Sequence, residues 1–278
     1  MRLWGTLIVL ATGAMLVWAT QEFPPWGDPN SPASLHVSPR YIEKTMEETS
    51  VPNAVTSVLA DYRGFDTMFE TTVIFAAGVS CFMLLRFFAG KEPEALHYRH
   101  LLTGLTIKVK GKGDRRKGQL QEFEPMDSLW TPYDIILRTL CRFLIPFIQL
   151  FAFYVVAHGH HSPGGGFQGG VILGASLILL AISQDMRSAL ERLKERSLAI
   201  LSVLGVVTYA GTGALCLVLG SNFLDYAGLT KVFFWVDPVE ARSLGIFLVE
   251  IGVGMAVMAT MIVIYHNLAS HGRLDEGL

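Results

Sequence analysis

His158-Gly-His-His-Ser-Pro-Gly-Gly-Gly-Phe-Gln-Gly-Gly170 separates an apolar run ending at Ala157 from another beginning near Val171. Three imidazoles and a run of glycines thus stand where a membrane-spanning segment leaves and re-enters lipid. Non-helical backbone is tolerated at membrane depth only where it is buried in protein or lines a wet cavity, and glycine lets backbone or a ligand approach closely. The joint formed by Pro163, Gly164, Gly165, Gly166, Gly169 and Gly170 therefore has two readings. One is a tight turn, with Pro163 ending the first helix and glycines at positive backbone angles; the other is a special site. A phosphate loop is excluded, because no Lys-Ser or Lys-Thr follows the glycines.

Working outward, the 278 residues are 51% hydrophobic and only 17% charged, with a mean hydropathy of +0.42. That composition is an integral membrane protein's. A net charge of -2 offers nothing to nucleic acid. Cys81, Cys141 and Cys216 lie far apart in apolar runs, and no CxxC or Cys/His cluster accompanies them. They indicate small buried side chains and no metal site.

Apolar runs at 3–19, within 51–88, and at 135–157, 171–183, 198–219 and 243–265 predict an all-α, polytopic chain of six transmembrane helices. The run 171–183 is short and recruits part of the glycine stretch. The first run is read as a retained helix, since Trp18 and Gln21-Glu22 follow it in place of a small-residue cleavage site. Residues 24–52, rich in proline, serine and acids, read as an extramembrane loop. Residues 91–126 are polar and basic, with Lys108, Lys110, Lys112, Arg115, Arg116 and Lys117. Basic residues concentrate at Arg2, in 89–136, in 184–197 and at Arg273, against Arg40, Lys44, Lys231 and Arg242 on the alternate side. By the positive-inside rule both termini are cytoplasmic. The joint at 158–170 and an acidic patch at 61–70 then share the outer side.

That patch reads Asp61-Tyr-Arg-Gly-Phe-Asp-Thr-Met-Phe-Glu70. On a helix Asp66 and Glu70 are one turn apart on one face, where paired carboxylates attract cations and raise each other's proton affinity. The plainer alternative is an interfacial cap in which Asp61 pairs with Arg63 and Asp66 caps the helix. Glu250 lies about a third of the way into the last span and must be protonated, paired or wet. Because it shares the outer half with the joint, we expect it buried against 164–170, where a helix N-terminus favours a carboxylate, or against a neighbouring subunit, with a hydrogen-bond partner or water. Gly170 with Gly174, and Gly252 with Ala256, form small-xxx-small surfaces for close helix packing. Arg138 and Arg142 can snorkel to the interface.

Arg142-Phe-Leu-Ile-Pro146, the 158–170 stretch with Val171-Ile172, Ser183-Gln-Asp185 and Glu250-Ile-Gly-Val253 together resemble the signature of the B subunit of Mrp-type multisubunit sodium/proton antiporters. Pro52-Asn-Ala-Val-Thr56, Asp61-Tyr-Arg-Gly-Phe-Asp-Thr67 and Glu70 resemble the C-terminal part of the antiporter A subunit, a piece that also occurs as a small subunit of membrane-bound hydrogenases. The resemblance implies a two-helix segment at 1–90, a basic cytoplasmic linker at 91–130 and a four-helix B-subunit-like domain at 131–278. It also implies a multi-pass subunit in the cell (inner) membrane, partnered by antiporter-like or complex I-like subunits. The transported species would be sodium ions and protons, with no cofactor in this chain and no catalytic residue. The implied ion pathway takes in Asp61, Asp66, Glu70, His158 and Glu250. The family motif often carries a single histidine or none where this chain has His158, His160 and His161. The large subunits' central lysines are absent, so the resemblance implies no independent antiport. A purely structural adaptor is the competing class, and the complex as a whole could carry a hydrogenase or other redox module.

Overall fold

The computed structural model describes residues 2–88, 96–100, 102–103, 105–109, 123–126, 135–184, 189–190 and 192–270. Among these, six helices are long and apolar enough to cross a membrane. They are α1 (Arg2–Ala19), α6 (Gly64–Phe88), α7 (Ile135–Ala157), α8 (Gly166–Ser183), α9 (Glu195–Val218) and α10 (Pro238–Ala269). The six expected spans are all present. The fourth is rescued from being too short because its first turn is built from the glycine stretch and begins at Gly166.

The segment read as an extramembrane loop is not featureless. It holds the short helices α2 (Pro32–His36), α3 (Ser38–Glu43) and α4 (Thr45–Thr49). A further short helix, α5 (Ala54–Ser57), precedes a π-turn at Val58–Tyr62. Between the second and third spans, strands β1 (Leu96–His100), β2 (Thr106–Val109) and β3 (Phe123–Met126) add a small sheet to the helical membrane architecture. Its order is β2-β1-β3, antiparallel throughout, with Leu96 opposite Val109 and His97 opposite Met126. The basic cluster Lys110, Lys112, Arg115, Arg116 and Lys117 lies outside the described residues, as do Asp185 and Arg273.

Residues 1–45 and 46–278 form two units. In the first, α1 has its apolar side chains exposed on every face. In the second, α10 is the most buried span, with α6, α8 and α9 packed around it and α7 against α8. It begins at Pro238, whose missing N–H is harmless at the first helical position. Lipid tails are as apolar as leucine, so helices in membrane associate through close packing of small residues. A Cβ on Gly170 would come within 2.7 Å of the Gly254 carbonyl oxygen, one on Gly252 within 2.8 Å of the Gly205 oxygen, and one on Gly205 within 2.8 Å of the Ala256 Cβ. The two small-xxx-small surfaces are thus the seams joining α10 to α8 and α9. Cys141 and Cys216 are buried and Cys81 half-buried, all as free thiols.

Candidate functional site

The chain leaves α7 through a turn in which the His158 carbonyl accepts from the N–H groups of His161 and Ser162, both at 2.9 Å. It enters α8 through Gly165, whose backbone is extended (φ -168°, ψ -154°). No glycine of the joint has positive φ; among the described residues only Gly27 and Gly220 do. The tight-turn reading thus assigned these glycines the wrong reason, and what requires them is proximity. A Cβ on Gly159 would stand 2.5 Å from Glu250 Oε2, one on Gly165 would overlap Oε1, and one on Gly166 would overlap the Glu250 backbone carbonyl. Gly164 and Gly169 are held against Val155 and Val156 of α7 instead. Pro163 is exposed at the outside of the turn.

Glu250 is therefore enclosed by the joint, with 7% of its surface exposed. Its Oε2 is buried without a hydrogen-bond partner among the described residues. The expected burial against 164–170 is what the structure has, and among the described residues no protein group donates to Oε2. The carboxyl instead borders a cavity of about 120 Å³ whose polar rim includes Asn53, Thr56, Thr67, Gln168 and Tyr209.

The opposite wall comes from the 53–67 segment, which is tied to the joint by specific bonds. Asn53 caps α5, its Oδ1 accepting from the Val55 and Thr56 N–H groups. Its Nδ2 donates to the carbonyls of Gly159 (2.9 Å) and Ser162 (2.6 Å), while its backbone N–H reaches the His160 carbonyl at 2.9 Å. Thr56 Oγ1 donates to the same Gly159 carbonyl at 2.8 Å. Side-chain hydroxyls collect carbonyls of the π-turn and of the helix start that follows it. Tyr226 donates to Ala60 O and Tyr209 to Gly64 O, each at 2.9 Å, and Thr67 donates to Leu59 O at 2.8 Å. Burial pushes the Tyr226 hydroxyl well above its ordinary pKa. Burial, followed by a 2.7 Å hydrogen bond to Glu48, pushes Tyr62 up to about 12. Both phenols stay neutral donors.

The structure separates the three acids of the patch. Asp61 does not pair with Arg63. It makes a two-pronged ion pair with Arg242 of α10, at 2.7 and 2.8 Å, with 9% of its side chain exposed. Arg63 pairs with Asp66, whose Oδ2 accepts from Nε at 2.6 Å. Asp66, 48% exposed in its side chain, stands in the first turn of α6, and Glu70 is exposed one turn further on. Neither of them lines the Glu250 cavity. Of the histidines, His158 is exposed and stacks on Tyr154 at 4.1 Å between centroids, and His161 is exposed. His160 is half-buried, edge-on to Phe247, with Nδ1 3.4 Å from Ser243 Oγ and Nε2 buried without a hydrogen-bond partner among the described residues. Burial, then the neighbouring His161, lowers its pKa below the usual 6.5. The residues that sequence reasoning missed are Asn53, Thr56, Tyr209, Tyr226 and Arg242. Asn53 and Thr56 sat inside a stretch already singled out; the other three carry no local signal.

Comparison with known proteins divides the chain where the site joins it. Residues 136–263 match the family profile described as a domain related to the MnhB subunit of Na+/H+ antiporter, and residues 5–98 match that of the E subunit of MBH. The B subunit of the Na(+)/H(+) antiporter of Bacillus subtilis is 33% identical over 141 residues, spanning 46% of this chain and 92% of that protein. A chain of the membrane-bound sulfane sulfur reductase, an archaeal respiratory membrane complex, aligns over 96% of this chain and 97% of its own, at 25% identity and a TM-score of 0.60. A chain of the Mrp complex from Dietzia sp. DQ12-45-1b shares the fold over 92% of this chain and 25% of its own, with a TM-score of 0.53 and 24% identity. With its B-subunit signature folded around Glu250 and its two pieces bonded through Asn53, the chain belongs to the MnhB family of Na+/H+ antiporter B subunits, as a multi-pass membrane subunit of a cation/proton antiporter-like complex.

Proposed function

We propose that this subunit takes a direct part in ion movement, with Glu250 as its proton-exchanging group. The observation that carries the reading is a carboxyl group nine-tenths buried within a span, its Oε2 without a hydrogen-bond partner among the described residues, beside a cavity of about 120 Å³. A buried charge with no partner is expensive, so such a group is retained where it is used. One water needs only about 10–15 Å³, so the cavity has room for a hydrated route to the carboxyl. Asp66 and Glu70, exposed on α6, supply acids to a cation path shared with a neighbouring subunit, sodium being the cation expected from the relatives. His158, exposed on Tyr154, lies outside this cavity's lining and has a weaker claim. The orientation has both termini cytoplasmic, in the cell membrane.

The alignment over 96% of the chain with a chain of a respiratory complex supports assignment to a redox-driven, complex I-like machine over a stand-alone antiporter. Co-purification of iron-sulfur or nickel-iron proteins tests that assignment. The adaptor reading rests on the Asp61–Arg242 pair and the Asn53 bonds, which fasten the two pieces together. Glu250→Gln and Glu250→Leu, assayed in the reconstituted complex, separate the two readings. Equal loss of transport with assembly intact supports proton exchange; full transport by Glu250→Gln removes it and leaves the adaptor.

A further inference from the structure

At the opposite end of the bundle from Glu250, a groove of about 440 Å³ runs between α6, α9 and α10. Its α6 wall extends from Phe75 through Gly78, Val79 and Phe82 to Arg86. Twelve residues of helix, eleven rises of about 1.5 Å, make this about 16 Å long. The body is dry: the Ser202 and Thr260 hydroxyls are spent on each other at 2.9 Å, leaving little to hold water. Its rim is open, with Val79 40% and Val203 44% exposed. One end is charged. Arg86 Nη2 reaches both oxygens of Glu195 at 2.6 and 2.7 Å, which occupies that carboxylate. Arg196, also lining the groove, is exposed and has no ion-pair partner among the described residues, and exposed Arg192 and Lys194 stand just before it.

We infer that this groove binds an anionic glycerophospholipid, with one acyl chain along the Phe75–Phe82 wall and the phosphate at Arg196 beside Arg86. The surplus of positive charge selects the headgroup, since basic pockets between spans on the cytoplasmic side attract anionic lipids. The apolar body, lined by Phe75, Val79, Phe82, Val203 and Val263, selects the tail.

The test uses the purified complex in nanodiscs of phosphatidylcholine carrying a small fraction of phosphatidylglycerol, with a photo-crosslinking amino acid at Val203. Phosphatidylglycerol should be captured well above its share of the bilayer. Arg196→Gln should reduce that capture about fivefold, the effect of about one basic contact near the membrane surface. Ala199→Phe, which fills the groove, should abolish it with the complex still assembled. Capture of the two lipids in proportion to their abundance, capture unchanged by either substitution, or capture of a neighbouring subunit's peptide each overturns the inference.

Discussion

Replacing Asp61 by asparagine removes the charge that Arg242 was built around, and the size of the effect follows from the geometry. Both Asp61 oxygens are engaged, at 2.7 and 2.8 Å, and the side chains are 9% and 24% exposed. At an effective dielectric of about 20, charges about 4 Å apart attract by about 4 kcal/mol. Breaking a fully buried pair costs about 3–5 kcal/mol. Water reaching the quarter-exposed Arg242 screens part of this, so about 2–3 kcal/mol is expected for either Asp61→Asn or Arg242→Gln. The double variant leaves no lone charge and should recover most of it, giving a coupling of about 2 kcal/mol. Thermal unfolding of the purified complex reads this as a loss of about 4–8 °C in each single variant, largely restored in the double. Losses that add to within about 0.3–0.5 kcal/mol would refute the pairing argument.

Gly166→Ala places a methyl on the Glu250 backbone carbonyl, where no side chain can rotate away. The strain is at least the 1–3 kcal/mol or so of ordinary overpacking, and wild-type yields of assembled complex would contradict it. His160 is held below its usual pKa of 6.5, so the unfolded state binds more protons in that range. The joint should be fully stable above about pH 6.5 and lose stability as pH falls below it; hydrogen exchange at 158–166 should rise at pH 5 in the wild type but not in His160→Phe, and identical profiles would reject the assignment. Purified alone in liposomes, this chain should show no sodium/proton exchange, since it carries an accessory subunit's signature and none of the central lysines implied for the large subunits. A sodium-dependent pH change from the chain alone would count against that reading.

Hydrophobic runs and glycines determined much of this protein's fold without coordinates. Lipid permits few spanning structures and demands about 20 apolar residues for a helix, so the spans were legible to within a few residues. The fourth, whose first turn is glycine, begins at Gly166 where its apolar run began near 171, and the last span runs Pro238–Ala269 beyond an apolar run of 243–265. Glu250 also stood out, because an acid inside an apolar run has no inexpensive place to go. The pairings were decided only by tertiary structure. Asp61 had Arg63 two residues away and took Arg242, 181 residues distant, because α10 brings that guanidinium to the π-turn while Arg63 turns to Asp66. Asn53 reads in sequence as a helix cap, and it is one, but its amide also reaches two carbonyls more than 100 residues away. Glycines read as turn formers proved to be contact surfaces. Sequence spacing encodes which face of a helix a residue occupies, whereas the atom facing it across a seam depends on how three helices close around one another.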